Sequence, residues 1–191
     1  MQRHFSVSEV FISVDIEASA QSPSVGSLLS IGACLVYRPE VGIYLELKPL
    51  PDRGWDPQTE DIHGLARETL EAEGLEPAEA MEQFDRWVRD TCGPDRPVLV
   101  GFNAPFDWMF VADYFWRYIG RNPFGISALD LKSFYMAKAG VGTWEETRRV
   151  HVDNRLRLAP DHTHQALEDA RGQAALARLL LRATLDHGAG D

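Results

Sequence analysis

The order of the predicted elements is the feature that most constrains the fold, because strands come first and helices alternate with strands afterwards. Residues 10–17 have aliphatic side chains at every second position (10, 12, 14 and 16), and apolar runs follow at 28–37 and 43–47. These patterns are typical of β-strands. Turn residues over 38–42 predict that the second and third strands form an antiparallel hairpin, and a loop is expected over 48–58.

The remainder of the chain predicts helices and strands in alternation. The predicted helices are residues 77–89, 104–119, 132–138 and 163–185, and the predicted strands are 97–102 and 126–131. Three strands in a meander followed by alternating elements give a mixed sheet flanked by helices. We expect one domain over residues 1–191, with its core at about 10–187.

Charge and apolar patterning limit the classes of partner. The chain has 19 Lys and Arg against 29 Asp and Glu, a net charge of −10, which argues against a protein that coats nucleic acid with a basic surface. A nucleic-acid partner would need bound metal or a local arginine cluster to neutralise the charge. No signal sequence or run of about 18 apolar residues is present. We therefore expect a cytoplasmic protein without a membrane partner, and free, buried thiols at Cys34 and Cys92.

Two carboxylates lie at the end of the first predicted strand. Asp15 and Glu17 are two residues apart, so they project from the same face of the strand. Their mutual repulsion and desolvation are costly unless a cation or a proton is shared between them. Taken alone, the pair is better explained by a strand that ends in solvent.

Two further aspartates lie where predicted helices begin. Asp107 follows a predicted strand, and Asp169 lies near the start of the last helix. Each is explained by the helix dipole, which favours acidic residues in the first turn. If all four carboxylates meet at one edge of the sheet, the oxygen-only ligand set favours Mg²⁺ or Mn²⁺. Two such ions about 3.5–4 Å apart support in-line displacement at phosphorus.

Three segments, in this order, resemble the exonuclease motifs of the DEDDh 3′→5′ exonuclease superfamily, which includes RNase T, oligoribonuclease and polymerase proofreading subunits. They are Asp15-Ile-Glu17, Asn103-Ala-Pro-Phe-Asp107 and His164-Gln-Ala-Leu-Glu-Asp169. The resemblance covers about residues 10–181 and includes the segments at 55–57 and 62–65. It implies an RNase H-like α/β fold, with a mixed five-stranded sheet, the first strand central and helices on both faces.

The resemblance implies a site with two Mg²⁺ or Mn²⁺ ions. Asp15 would bridge both ions, Glu17 and Asp169 would hold the ion on the nucleophile side, and Asp107 would hold the other. Full activity in excess chelator would be inconsistent with this assignment.

The resemblance also implies that His164 removes a proton from the attacking water. An unperturbed histidine pKa of about 6.5 suits proton acceptance at neutral pH. His162 is the alternative base, but only His164 has the five-residue step to Asp169.

The sequence indicates the substrate-binding residues less clearly than the metal ligands. By resemblance, His63 contacts the terminal nucleotide; otherwise it is a loop residue. Ser19 lies where the family often has Thr-Gly and the backbone approaches that nucleotide, but this chain has Ala18-Ser19-Ala20. Phe106 and Trp108 are candidate stacking residues, with core packing as the alternative.

Residues 132–157 form a basic stretch in an acidic chain. They contain six Lys and Arg residues and three acidic residues, so they suit phosphate binding. A solvated charged face explains the stretch at least as well.

The function implied is metal-dependent 3′→5′ hydrolysis of phosphodiester bonds, releasing nucleoside 5′-monophosphates. The partner is the 3′ end of RNA or single-stranded DNA, and a stand-alone enzyme on RNA or short oligonucleotides is favoured over DNA proofreading. The alternatives are a proofreading-type DNA exonuclease and a catalytically idle scaffold that binds nucleic-acid ends. The oligomeric state, a homodimer included, stays open.

Overall fold

A five-stranded mixed sheet forms the centre of the protein. A computed structural model describes residues 8–158 and 165–182. The strands are β1 (Glu9–Ala18), β2 (Leu28–Leu35), β3 (Arg38–Glu46), β4 (Arg96–Gly101) and β5 (Leu129–Asp130). They lie in the order β3-β2-β1-β4-β5, with β2 antiparallel to β1 and β3, and β4 parallel to β1 and β5. The predicted mixed sheet with a central first strand is confirmed.

Helices cover both faces of the sheet. They are α1 (Pro57–His63), α2 (Arg67–Glu73), α3 (Pro77–Cys92), α4 (Pro105–Tyr118), α5 (Leu131–Ala139), α6 (Arg149–Leu156) and α7 (Ala166–Arg182). Neighbouring residues of β4 point to opposite faces. Leu99 packs in one core with Phe115 of α4, whereas Val100 packs in a second core with Leu176 of α7. The α/β fold with helices on both faces therefore matches the prediction.

The hairpin turn is shorter than predicted. Residues 38–42 were expected to form the turn, but β3 begins at Arg38 and only residues 36–37 form the turn. Pro39 is accommodated because β3 is at the edge of the sheet, where a residue without an N–H can be tolerated.

The last strand is also shorter than predicted. The expected strand over 126–131 is reduced to Leu129–Asp130. Gly125 has a positive φ of 73° and Ile126 is exposed, so this segment is a loop before the strand.

Three short helices, α1, α2 and α6, were not predicted. The start of α1 has a recognisable cap, because the Asp56 side chain accepts a hydrogen bond from the Gln58 amide at 2.9 Å and Pro57 occupies the first turn. The three helices have only 7 or 8 residues each. That length gives too little periodicity to separate a helix from a loop.

Close packing at Gly32 sets α7 against the sheet. Gly32 of β2 is opposite Asp15 in the register with β1. A Cβ at Gly32 would lie 2.1 Å from the Ala166 carbonyl carbon and from the Leu167 amide nitrogen. The first turn of α7 therefore rests directly on β2, beside the carboxylates of β1.

Cys34 and Cys92 are both free and buried, as predicted. Among the described residues, no helix has the length and hydrophobicity needed to span a membrane.

Candidate active site

Three carboxylates from two elements converge beside the sheet. Asp15 and Glu17 lie on β1, and Asp169 lies in the first turn of α7. One carboxylate oxygen from each residue lies within 4.8 Å of those of the other two. The residues that the sequence singled out are therefore brought together, as expected for ligands of one cation.

The Asp107 side chain is hydrogen-bonded to a backbone amide of β1. It lies in the first turn of α4 and is 4% exposed. Its Oδ1 accepts a hydrogen bond of 3.1 Å from the amide of Ile16, the residue between Asp15 and Glu17. This hydrogen bond holds the Asp107 carboxylate against the backbone between Asp15 and Glu17.

Burial and crowding raise the pKa values of these carboxylates. Burial, reinforced by the charges of Asp107, Glu17 and Asp169, raises the pKa of Asp15 well above its usual range. Burial, with Asp169 and Asp107 nearby, raises the pKa of Glu17 to about 8. Burial also raises the pKa of Asp107 to about 8, although the Ile16 amide acts in the opposite direction. The site therefore favours protons or cations over free negative charges.

The residues fit divalent cations. The ligand set consists of carboxylate oxygens, which suits a hard cation. No Lys or Arg in the described part of the chain forms an ion pair with Asp15, Glu17 or Asp107. Use of a divalent metal agrees with this arrangement.

Asp130 fixes the turn that carries Asp107 into the site. Its Oδ1 accepts hydrogen bonds from the amides of Asn103 at 3.0 Å and Ala104 at 3.2 Å. Asn103 has a positive φ of 66°, which is uncommon outside glycine but tolerated by asparagine. The Asp130 side chain also caps α5 through the Ser133 amide at 3.1 Å. It therefore ties the β4–α4 turn to the start of α5.

Gln173 was missed by the sequence analysis. Its Nε2 donates to Oδ1 of Asp15, and its Oε1 accepts a hydrogen bond of 3.0 Å from the Phe102 amide. The available signal was its position four residues after Asp169, which places both side chains on one face of α7.

Ser19 and His63, the residues predicted to contact the terminal nucleotide, form hydrogen bonds within the chain. The buried Ser19 hydroxyl donates to the Gly54 carbonyl and accepts from the Ser27 amide, both at 2.8 Å. His63 is 6% exposed, and its Nδ1 accepts a hydrogen bond of 3.0 Å from the Leu65 amide. Roles in substrate binding for Ser19 and His63 stay predictions.

The predicted stacking residues are half-buried on α4. Phe106 packs edge-to-face with Phe110, with 5.5 Å between ring centres. Trp108 has a buried indole N–H for which the described chain supplies no hydrogen-bond acceptor. Stacking by Phe106 or Trp108 also stays a prediction. His162 and His164 lie outside the described residues.

Comparisons with known proteins agree with the fold. The family model described as RNase T, exonuclease, matches residues 12–177. The 3′-5′ DNA exonuclease Cap18 of Escherichia coli is 42% identical over 173 residues, which are 90% of this chain and 91% of that protein.

Two solved structures share the fold at low identity. The nuclease domain of 3′hExo, a DEDDh family member bound to rAMP, has a TM-score of 0.74 and 13% identity, covering 92% of this chain and 93% of that one. E. coli exonuclease I in complex with a dT13 oligonucleotide has a TM-score of 0.69 and 17% identity, covering 91% of this chain and 41% of that one. With the family match and the 42% identical relative, these findings identify the chain as a member of the DEDDh superfamily of 3′→5′ exonucleases.

Proposed function

We propose that this exonuclease removes nucleoside 5′-monophosphates one at a time from the 3′ end of single-stranded DNA. The convergence of Asp15, Glu17 and Asp169 within 4.8 Å carries the proposal of phosphodiester hydrolysis. The name of the 42% identical relative, a 3′-5′ DNA exonuclease, supports DNA as the substrate. RNA, which the sequence left open beside single-stranded DNA, is the alternative to be tested directly.

Two Mg²⁺ or Mn²⁺ ions are the proposed cofactors. Asp15, Glu17 and Asp169 would hold one ion, and Asp107, with Asp15, would hold the other. When bound, the ions would lower the pKa of water and offset negative charge on the phosphate. The carboxylates also orient the reacting groups, because β1 and two helix termini fix them in place.

His164 is the proposed general base. By the family resemblance, one of its ring nitrogens takes the proton of the attacking water. A neutral imidazole is available for this at pH values above about 6.5.

The basic stretch over 132–157 is proposed to bind phosphates upstream of the 3′ end. Arg149, at the start of α6, lies 5.4 Å from the ring centre of Phe102 in the turn that leads to Asp107, but its guanidinium is held by Asp153 at 2.7 Å. Lys132 lies 4.3 Å from the ring centre of Trp144, which is 49% exposed. A cation beside an exposed ring, as at Lys132 and Trp144, suits a single strand, because phosphates pair with the cation and bases stack on the ring.

The test is digestion of matched 5′-labelled DNA and RNA oligonucleotides, with EDTA, Mg²⁺ or Mn²⁺. We expect the DNA to shorten as a ladder with either metal, and neither substrate to shorten in EDTA. A 3′-phosphorylated oligonucleotide should resist digestion. Faster digestion of RNA would reverse the proposed substrate preference, and cleavage of circular single strands at a comparable rate would contradict an exonuclease mechanism. Binding without cleavage would favour the scaffold alternative.

A further inference from the structure

One buried glutamine joins three elements around the carboxylate site. Gln173 of α7 is 4% exposed. Its Nε2 donates to Oδ1 of Asp15 on β1, and its Oε1 accepts a hydrogen bond of 3.0 Å from the Phe102 amide, just beyond β4. Because Asp169 lies one turn earlier on the same helix, α7 supplies both a carboxylate of the site and a hydrogen-bond donor to another.

The chemistry of the partners fixes the orientation of this amide. The Phe102 N–H can only donate, so it requires Oε1 of Gln173. The NH₂ group must then face Asp15, whose carboxylate can only accept when it is ionised to hold a cation. A rotated amide would set donor against donor and acceptor against acceptor, so one orientation satisfies both contacts.

The neutrality of the glutamine is as important as its hydrogen bonds. A Lys or Arg donor in this place would carry a positive charge next to Asp15 and would compete with a divalent cation. A Glu would retain an acceptor for Phe102 but add a negative charge beside Asp15. Glutamine provides a donor to the carboxylate without changing the charge of the site.

We propose that Gln173 is a positioning residue for the metal site, an inference that rests on the proposed function. Its amide holds Oδ1 of Asp15, while a carboxylate oxygen of Asp15 stays within 4.8 Å of those of Glu17 and Asp169. Partners that orient a metal ligand in this way typically change metal affinity or activity by about 10–100-fold when they are removed. Gln173 thereby fixes the ligand proposed to be shared by both ions.

The first test measures metal binding without substrate. Q173M keeps an unbranched side chain of similar length on α7 but removes the donor and the acceptor. Calorimetric titration of the metal-free protein with Mn²⁺ should give a Kd about 10–100-fold weaker than wild type. The matched control is Q83M on α3, where the one side-chain hydrogen bond of the glutamine among the described residues is with Glu79, and its Mn²⁺ affinity should equal that of wild type. An unchanged Kd in folded Q173M would overturn the proposal.

The second test separates positioning of Asp15 from anchoring of Phe102. Q173E keeps an oxygen acceptor for the Phe102 amide but loses the donor to Asp15. At saturating Mn²⁺ we expect kcat to fall at least about tenfold, with the KM for a DNA oligonucleotide within about threefold of wild type, since this contact does not reach the strand. If Q173M does not fold, a wild-type kcat in Q173E overturns the proposal. If the wild-type chain digests no oligonucleotide, the proposed function fails, whereas the Mn²⁺ affinities of Q173M and wild type still decide the role of Gln173.

Discussion

The amide N–H of Ile16 donates a hydrogen bond of 3.1 Å to Oδ1 of Asp107, 91 residues further along the chain. Ile16 lies between Asp15 and Glu17, so β1 supplies two carboxylates and also the donor that holds a third. The charge of Asp107 and its hydrogen bond are therefore separable by substitution.

We predict different effects for two substitutions at Asp107. Asp107→Asn keeps an oxygen acceptor for Ile16 but loses the charge, so the exonuclease rate should fall on the order of 10³-fold. Its stability without metal should be equal to or above that of wild type, because a group whose pKa is raised to about 8 by burial is replaced by a neutral one. Asp107→Ala leaves the buried Ile16 amide without an acceptor and should also cost about 1–3 kcal/mol of unfolding free energy. Oligonucleotide digestion and urea unfolding in EDTA measure the two effects.

The control for these variants is Asp113→Asn on the same helix. Asp113 lies six residues further along α4, where it forms an ion pair of 3.0 Å with Arg117. This variant should therefore retain the wild-type rate. Unfolding of Asp107→Asn in EDTA would show that Asp107 has a mainly structural role.

The metal-free protein should lose stability as the pH rises from about 4 to about 8. Unfolded Glu17 releases its proton near pH 4.3, whereas in the folded protein burial raises its pKa to about 8. Between these values the folded state binds more protons than the unfolded state, so the free energy of unfolding decreases with pH. Asp15 and Asp107 have raised pKa values and act in the same direction. Thermal unfolding in EDTA across this pH range tests whether stability decreases as the pH rises.

Glu17→Gln should reduce the slope of this pH dependence, because it removes one of the contributing groups. Saturating Mn²⁺ should abolish most of the decline in the wild-type protein, since a bound cation takes the place of the retained protons. A stability in EDTA that rises with pH over this interval would be inconsistent with the raised pKa values.

The local part of the site was predictable from the sequence. The two-residue step from Asp15 to Glu17 on an alternating strand is enough to place both side chains on one face. The position of Asp169 near the start of a long helix could also be predicted from neighbouring residues alone. Because parallel strands end at one edge of a sheet, these residues could also be expected to converge.

The contacts between distant residues were not predictable in the same way. The bond from Gln173 to Asp15 joins residues 158 positions apart, and a glutamine on a helix has many unremarkable explanations. The close approach at Gly32 depends on where α7 crosses β2, which a single sequence does not specify. The early start of β3 depends on its edge position, which makes Pro39 acceptable there.

Gly32→Ala should displace the start of α7 and weaken the metal site. The added Cβ would meet backbone atoms of Ala166 and Leu167 at 2.1 Å, and backbone cannot move aside as a flexible side chain can. We expect a loss of about 1–3 kcal/mol in unfolding free energy. The exonuclease rate should fall on the order of 10²-fold, because Asp169 moves relative to Asp15.

The matched control is Gly142→Ala, since a Cβ at Gly142 would have no atom within 4 Å. This variant should match wild type in Mn²⁺ affinity and in unfolding free energy. Wild-type Mn²⁺ affinity in Gly32→Ala would mean that α7 can move without disturbing the carboxylates.

The final prediction distinguishes the proposed general base from its neighbour. His164→Ala should lower the rate about 10²–10⁴-fold, the usual size of a general-base contribution, whereas His162→Ala should stay close to wild type. The wild-type rate should rise with pH through about 6.5, because a neutral imidazole is needed to accept the proton. The residual activity of His164→Ala should lack this rise. Rates at saturating Mn²⁺ from pH 5.5 to 8 test both points, and a larger loss in His162→Ala would reassign the base to His162.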